Sequence, residues 1–261
     1  MSYKDTVLPI VRSVRDIVLP EWGTAELVIN KSDHPADAVT EVDKKVEKVL
    51  REKLAIAHPD ISFVGEEDGG NREAKRFWLV DPIDGTGHYM RGLPFCTVML
   101  ALIENQRINF SVVYDFVSDT MYYATRGEGC FANETRLGVS NRKLSDAYII
   151  LESNIVKSEN KLLHDKLFAR TGILIAMTAG WSLAMVAAGK LDGRVTVDGW
   201  GFDYDFAAGS LLVEEAGGIV ANIGSQTYDY RDRDFLACNE EVFRELTEGP
   251  EAIFPIEQQG L

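Results

Sequence analysis

Phe77-Trp78-Leu79-Val80-Asp81-Pro82-Ile83-Asp84-Gly85-Thr86 is the stretch on which the reading of this chain turns. Its apolar start reads as a buried strand. Pro82 has no N–H to donate to a ladder, so the strand is expected to end and the chain to turn at Asp81. That turn brings Asp81 and Asp84 together at a strand end, where open α/β sheets bind ligands. Two converging carboxylates repel each other unless a proton or a cation lies between them. An all-oxygen donor set suits a hard cation such as Mg²⁺. Gly85 lets the backbone approach a ligand closely.

Working outward, residues 5–19 place Val7, Ile10, Val11, Val14, Ile17 and Val18 on one helical face. Residues 24–39 are polar, contain Pro35 and read as a loop. Thr40 is the expected N-cap of a helix with Asp43 at its N3 position and Val42, Val46, Val49, Leu50 and Leu54 as its apolar stripe. Strands are expected at Ile61 to Val64, at residues 77–80 and at Thr97 to Ile103, with a hairpin of Ser111 to Tyr114 and Thr120 to Ala124. Polar residues 137–146 read as the crossing between two halves. Beyond them, Leu162 to Ala169, Leu183 to Ala188, Phe206 to Glu215 and Val242 to Leu246 read as helices, and Ile219-Val220 as a strand. Asp205 stands just before the third of these helices, and Gly217-Gly218 ends it. Helices alternating with strands imply packed α and β layers.

Composition narrows the classes of function. The 261 residues suffice for one large domain or two modest ones. No apolar run approaches the ~20 residues that span a bilayer. The N-terminal residues begin an amphipathic pattern and not a signal peptide, so a cytoplasmic protein is expected. The 3 cysteines, Cys96, Cys130 and Cys238, are far apart and read as reduced thiols. The 4 histidines are scattered, which argues against a histidine-centred mechanism. A net charge of −14 disfavours nucleic acid and anionic membranes as partners. It would also repel a phosphate ester, unless bound cations reverse the sign locally.

Acidic segments recur at element ends: Asp37-Ala38-Val39-Thr40-Glu41-Val42-Asp43, Gly65-Glu66-Glu67, Asp81-Pro82-Ile83-Asp84-Gly85-Thr86, and Tyr204-Asp205-Phe206-Ala207-Ala208-Gly209. In this order they resemble the inositol monophosphatase family of Mg²⁺-dependent, lithium-sensitive phosphatases. That family also includes fructose-1,6-bisphosphatases, 3′-nucleotide phosphatases and a class of histidinol phosphatases. The resemblance covers almost the whole chain. It implies a layered αβαβα sandwich (α+β, then α/β) with an N-terminal subdomain over 1–143, a C-terminal one over 144–261 and the metal site between them.

The resemblance also implies roles. Glu66, Asp81 and the carbonyl oxygen of Ile83 would hold one Mg²⁺, and Asp81, Asp84 and Asp205 a second, with a third and weaker ion near Glu66. Thr86 and Asp43 would orient the attacking water. The N–H groups of Gly85 and Thr86 would cradle phosphate, and Asp198 would bind a substrate hydroxyl. Lys31 and Asp37 would belong to a loop that closes on the site. The implied substrate is a small phosphorylated metabolite, by default inositol 1-phosphate, and the implied assembly a homodimer. The stretch Leu174 to Trp181 and the residues around Asp198 depart from the family's usual pattern, so they bear on the substrate and not on the reaction.

Two other phosphatase signatures lack their context. Cys130 to Arg136 fits C-x₅-R, but Glu134 would place negative charge in the phosphate loop, and no helix start follows. Asp203-Tyr204-Asp205 resembles the paired aspartates of haloacid-dehalogenase-type enzymes, but Gly199-Trp200-Gly201-Phe202 is a poor strand interior.

Overall fold

The structure, a computed structural model, describes residues 2–30, 38–175 and 178–256. In chain order the first part comprises α1 (Tyr3–Arg12), α2 (Arg15–Val18), β1 (Ile29–Asn30), β2 (Ala38–Val39), α3 (Glu41–Ala57), β3 (Ser62–Gly65), β4 (Gly69–Gly70), β5 (Arg76–Asp84) and α4 (Thr86–Tyr89). The antiparallel run β6 (Thr97–Glu104), β7 (Arg107–Asp115), β8 (Thr120–Thr125), β9 (Gly129–Ala132) and β10 (Thr135–Arg136) follows. Then come β11 (Tyr148–Ser153), α5 (Ser158–Phe168), β12 (Gly172–Ile175), α6 (Ala179–Ala187), β13 (Gly193–Val197), α7 (Asp203–Glu215), β14 (Ile219–Asn222), β15 (Phe235–Cys238) and α8 (Glu240–Thr247).

Among the described residues the larger sheet runs β10-β9-β8-β7-β6-β5-β3-β4 and the smaller β12-β11-β13-β15-β14. Alternation along the central strands shows why they are buried on both faces. Trp78 and Val80 of β5, with Val98, Leu100 and Leu102 of β6, face the apolar sides of α1 and α3, where they meet Val7, Val11, Val46 and Leu50. Phe77, Leu79, Met99 and Ala101 point the other way, onto Leu183 of α6 and Leu211 and Leu212 of α7; Ile150 and Phe235 of the smaller sheet close that core. The far face of the smaller sheet packs Leu151, Val195 and Leu236 against Leu167 of α5 and Val242 and Leu246 of α8. The middle core fills both sides of the α6–α7 layer and the other two lie outside the sheets, so five layers result, an αβαβα sandwich.

Pro82 does not end the strand. β5 runs on to Asp84 and still pairs with β6, with Asp81 opposite Met99 and Asp84 opposite Thr97. The extra residue is a bulge, which takes the proline out of the ladder and re-aims the chain. The helix expected over 5–19 is divided into α1 and α2, with Pro9 inside α1. Short strands such as β11, β12, β13 and β15 had no pattern of their own in the sequence. Of these, β11, β13 and β15 are largely buried between helices and lack the alternation that marks a half-exposed strand.

Candidate active site

Strand periodicity carries the inner face of β5 from Phe77 and Leu79 to Asp81, which therefore points at the α6–α7 layer. After the bulge, Asp84 reaches the N-terminus of α6. Its Oδ2 accepts the Gly180 N–H at 2.7 Å and the Thr97 hydroxyl at 3.3 Å. Gly180 is required for this approach, since a Cβ there would lie 2.4 Å from Thr97 Oγ1 and 3.0 Å from Asp84 Oδ2. Asp81 Oδ1 accepts the Ile83 N–H at 3.0 Å, which fixes the bulge. Gly85 then takes φ +84°, and a Cβ there would lie 2.4 Å from Thr178 Cγ2.

Two helices bring carboxylates to the same place by the same device. Asp43 is at N3 of α3, where its Oδ2 accepts the Thr40 N–H at 2.8 Å and the Thr40 hydroxyl at 2.6 Å. Asp205 is not ahead of its helix, as expected from sequence, but at N3 of α7, where its Oδ2 accepts the Phe202 N–H. Each aspartate caps its helix with one oxygen and leaves the other for the site. Asp43 Oδ1 accepts the Thr86 hydroxyl at 2.9 Å, and the same hydroxyl lies 3.0 Å from the Ile83 carbonyl oxygen.

Carboxylate oxygens of Asp81, Asp84 and Asp205 lie within 4.8 Å of one another, with Asp81 and Asp84 buried. Burial, and then the charges of Glu66, Asp205 and Asp84, hold the Asp81 carboxyl well above its usual range. Asp205 is raised well above its range by burial and by the Asp84 and Glu66 charges. Burial also raises Asp84, to about 6, against the opposing Gly180 N–H and the Arg194 charge. Asp43 is raised by burial, with the Thr40 and Thr86 hydrogen bonds opposing. Buried oxygens converging at a cost in repulsion fit a hard divalent cation. Glu66 stands beside the cluster. Its N–H bonds the Val80 carbonyl oxygen at 3.0 Å, and its charge contributes to the upward shifts of Asp43, Asp81 and Asp205.

Asp198 is not gathered into this cluster. It ends β13 in the left-handed region, φ +52°, and accepts from Lys157 Nζ at 2.7 Å and Asn160 Nδ2 at 3.0 Å. Lys31 and Asp37 lie outside the described residues. The competing signatures have no site: Cys130 is a buried strand residue whose thiol burial pushes up to about 12, and Asp203 is paired with Arg72.

Sequence reasoning missed Gly180 and a buried cation behind the site. Arg194 on β13 donates from Nη1 to Ser182 Oγ at 2.7 Å and pairs with Glu152, whose other oxygen accepts the Trp200 N–H at 2.9 Å. The arginine at position 194 gave no signal, because it falls within a strand that had itself gone unread.

A two-sheet sandwich in which β5 and α7 bring three carboxylates within 4.8 Å of one another has the donor set of a metal-dependent enzyme, and the family match makes the class a metal-dependent phosphatase. The profile of the inositol monophosphatase family matches residues 5–250, and the chain belongs to that family. It is similar to the inositol-1-monophosphatase of Rhizobium meliloti, with 39% identity over 82% of this chain and 83% of the relative. It also resembles Nus factor SuhB of Xylella fastidiosa, 34% identical over 81% of this chain and 78% of the relative. The solved structure of a Thermotoga maritima IMPase superposes with a TM-score of 0.85 and 29% identity, covering 94% of this chain and 95% of that one. The chain is accordingly an enzyme, a Mg²⁺-dependent phosphatase of this family. Among the described residues, no helix is long and apolar enough to cross a membrane.

Proposed function

We propose that the chain hydrolyses a small polyol phosphate monoester, with inositol 1-phosphate as the reference substrate. The observation that carries this is the convergence of Asp81, Asp84 and Asp205 within 4.8 Å, beside the Thr86–Asp43 pair. In this reading Glu66, Asp81 and the Ile83 carbonyl would hold one Mg²⁺ and Asp81, Asp84 and Asp205 a second, with a third near Glu66. The ions would supply Lewis-acid stabilisation of phosphoryl oxygens and a lowered pKa for water.

The chain's own groups do the rest. Thr86 donates its hydroxyl proton to Asp43 Oδ1, so a lone pair on Oγ1 is left to accept a proton of the attacking water. As the water attacks in line and gives a proton to Thr86 Oγ1, the Thr86 hydroxyl proton passes to Asp43, which burial makes a better proton acceptor. The N–H groups of Gly85 and Thr86, at the start of α4, orient phosphate oxygens. Asp198 offers a hydroxyl of the substrate an acceptor at the rim, in competition with Lys157. A homodimer in the cytoplasm completes the reading, and sedimentation as a monomer would refute the dimer.

A nucleotide phosphate is the second reading. Trp200 and Phe202, next to Asp205, are 48% and 51% exposed, and the Arg233 guanidinium lies 5.6 Å from the Phe202 ring centre. Exposed aromatic faces beside a phosphate site can stack a base. Turnover of inositol 1-phosphate, fructose 1,6-bisphosphate, 3′-phosphoadenosine 5′-phosphate and histidinol phosphate with Mg²⁺ tests both. Hydrolysis of none of them would leave only a metal-binding scaffold that keeps the fold.

A further inference from the structure

We infer that Glu47 is the positioning residue for Glu66, and through it for metal binding; this rests on the reading of Glu66 as a metal ligand. Glu47 lies one helical turn after Asp43 on α3, with its side chain fully buried. A buried glutamate is uncommon and must be satisfied by hydrogen bonds. Here it is satisfied entirely by the turn that follows β3 and by one arginine. Oε2 accepts the Glu67 N–H at 2.8 Å, and Oε1 accepts the Asp68 N–H at 3.0 Å and Arg51 Nη2 at 2.7 Å. Arg51 Nη2 also reaches the Gly69 carbonyl oxygen at 3.3 Å, and its guanidinium lies 4.3 Å from the centre of the Phe63 ring.

Residues 65–69 therefore wrap around one carboxylate. Gly65 is where the wrap is tightest, since a Cβ there would lie 2.2 Å from the Glu47 Cδ and Oε1. Glu66 is the residue between this contact and the two N–H groups that Glu47 grips. Its own N–H is tied to Val80, directly before Asp81. The carboxylate thus fixes the turn from below while β5 fixes it from the side, and the Glu66 side chain is left to project toward Asp81. One face of α3 serves the site twice: Asp43 works in the water-orienting pair, and Glu47 sets where Glu66 stands. Outer partners of metal ligands typically matter by ~10–100-fold in metal affinity.

The test is Mg²⁺ binding by calorimetry and melting in EDTA, alongside turnover, for Glu47→Gln, Glu66→Gln and the double variant. The amide keeps the shape but turns one accepting oxygen into a donor that faces a backbone N–H. We expect Glu47→Gln to raise the Mg²⁺ Kd by ~10–100-fold, to regain most of its kcat at saturating Mg²⁺, and to lose little melting temperature in EDTA. The double variant is expected to bind Mg²⁺ no more weakly than Glu66→Gln alone, because both changes act through one ligand. Wild-type Mg²⁺ affinity in Glu47→Gln, or additive losses in the double variant, would overturn the inference. Unchanged affinity in Glu66→Gln would instead overturn the ligand reading on which it stands. Arg51→Met is the milder variant should Glu47→Gln fail to fold; it leaves the carboxylate but removes its half-exposed partner, and a rise in Kd of up to about fivefold is expected. No rise there would count against Glu47 equally.

Discussion

The two sides of the active site are built differently. On the β5 side the functional groups are held by short hydrogen bonds into buried structure: Asp81 to Ile83, Asp84 to Gly180, Thr86 to Asp43, Asp43 to Thr40. On the α7 side Asp205 is held by the Phe202 N–H, and the segment before it, residues 198–204, carries exposed aromatic rings and an ion pair at its rim. The difference separates two tasks. Chemistry on phosphate needs fixed oxygens, and fixed oxygens need buried, saturated backbone around them. Substrate choice needs only surface, which can vary without disturbing the ladder.

The comparison breaks most decisively at Asp84. Asp84→Asn removes the charge of a proposed metal ligand but keeps an oxygen for the Gly180 N–H. We expect kcat to fall by well over the ~100-fold that outer-shell changes cost, with the circular dichroism spectrum retained. Wild-type kcat in this variant would sink the metal assignment. Next in size is Thr86→Ala, which removes the hydroxyl bonded to Asp43 that is proposed to orient the water. A fall in kcat of ~10²–10⁴-fold with little change in KM is expected. Asp43→Asn combined with it should cost no more than the larger single loss, since the pair works as a unit. Full additivity would separate the two residues.

On the α7 side the largest expected effect is on stability. Arg194 is buried among Ser182, Thr196, Glu152 and the Phe206 ring. Arg194→Met leaves Glu152 without its cation, and breaking a buried pair from one side costs about 3 kcal/mol or more. Because Glu152 also holds the Trp200 N–H, residues 198–202 should loosen with it. A thermal melt and amide exchange across that segment check this, and unchanged protection there would uncouple the rim from the arginine.

The pH dependence follows from burial of the acidic cluster. Asp81 and Asp205 are raised and Asp84 is raised to about 6, so the metal-free folded state binds protons more tightly than the unfolded chain. Stability in EDTA therefore loses a contribution as pH rises through the window from the usual carboxylate value toward the raised ones. Mg²⁺ needs the same groups deprotonated, so its stabilising effect moves the opposite way. The difference in melting temperature between Mg²⁺ and EDTA should grow from about pH 5 to about pH 7. A difference that stays flat would mean that the cluster does not bind the ion.

The same contrast explains what the sequence could and could not tell. Asp81 and Asp84 were legible as converging carboxylates from the residues alone, because proline and glycine mark their turn; Asp43, Thr86 and Asp205 were picked out by the family resemblance, and the structure brings Asp205 within 4.8 Å of Asp81 and Asp84 and joins Thr86 to Asp43. Pro82 misled about the strand's end, since a bulge is settled by pairing with β6 and not by the residue alone. Glu47 carried a faint signal: an acidic residue four after Asp43, inside the stripe of Val46 and Leu50. Arg194 and Glu152 carried none, because their partners come from strands distant in sequence and their strands are buried on both sides. Asp198 was expected to bind a substrate hydroxyl from the family resemblance alone; that its carboxylate is shared with Lys157 and Asn160 only the tertiary structure shows.

The smallest effect, and the one that sharpens the comparison most, is expected at Trp200 and Phe202. Both rings are exposed and neither side chain holds a group of the reaction (the Phe202 N–H that holds Asp205 is kept in an alanine), so Trp200→Ala and Phe202→Ala should leave kcat on inositol 1-phosphate nearly unchanged. If the rim stacks a base, the same variants would raise KM for 3′-phosphoadenosine 5′-phosphate, by the factor that ~1–3 kcal/mol of stacking represents. A polyol offers no planar face, so under the leading reading KM for inositol 1-phosphate moves less than about twofold, as for surface changes generally. Parallel KM measurements on the two substrates therefore separate the readings. A drop in kcat on both would instead show that residues 198–204 help hold Asp205, and that the two sides of the site are less independent than their hydrogen bonds suggest.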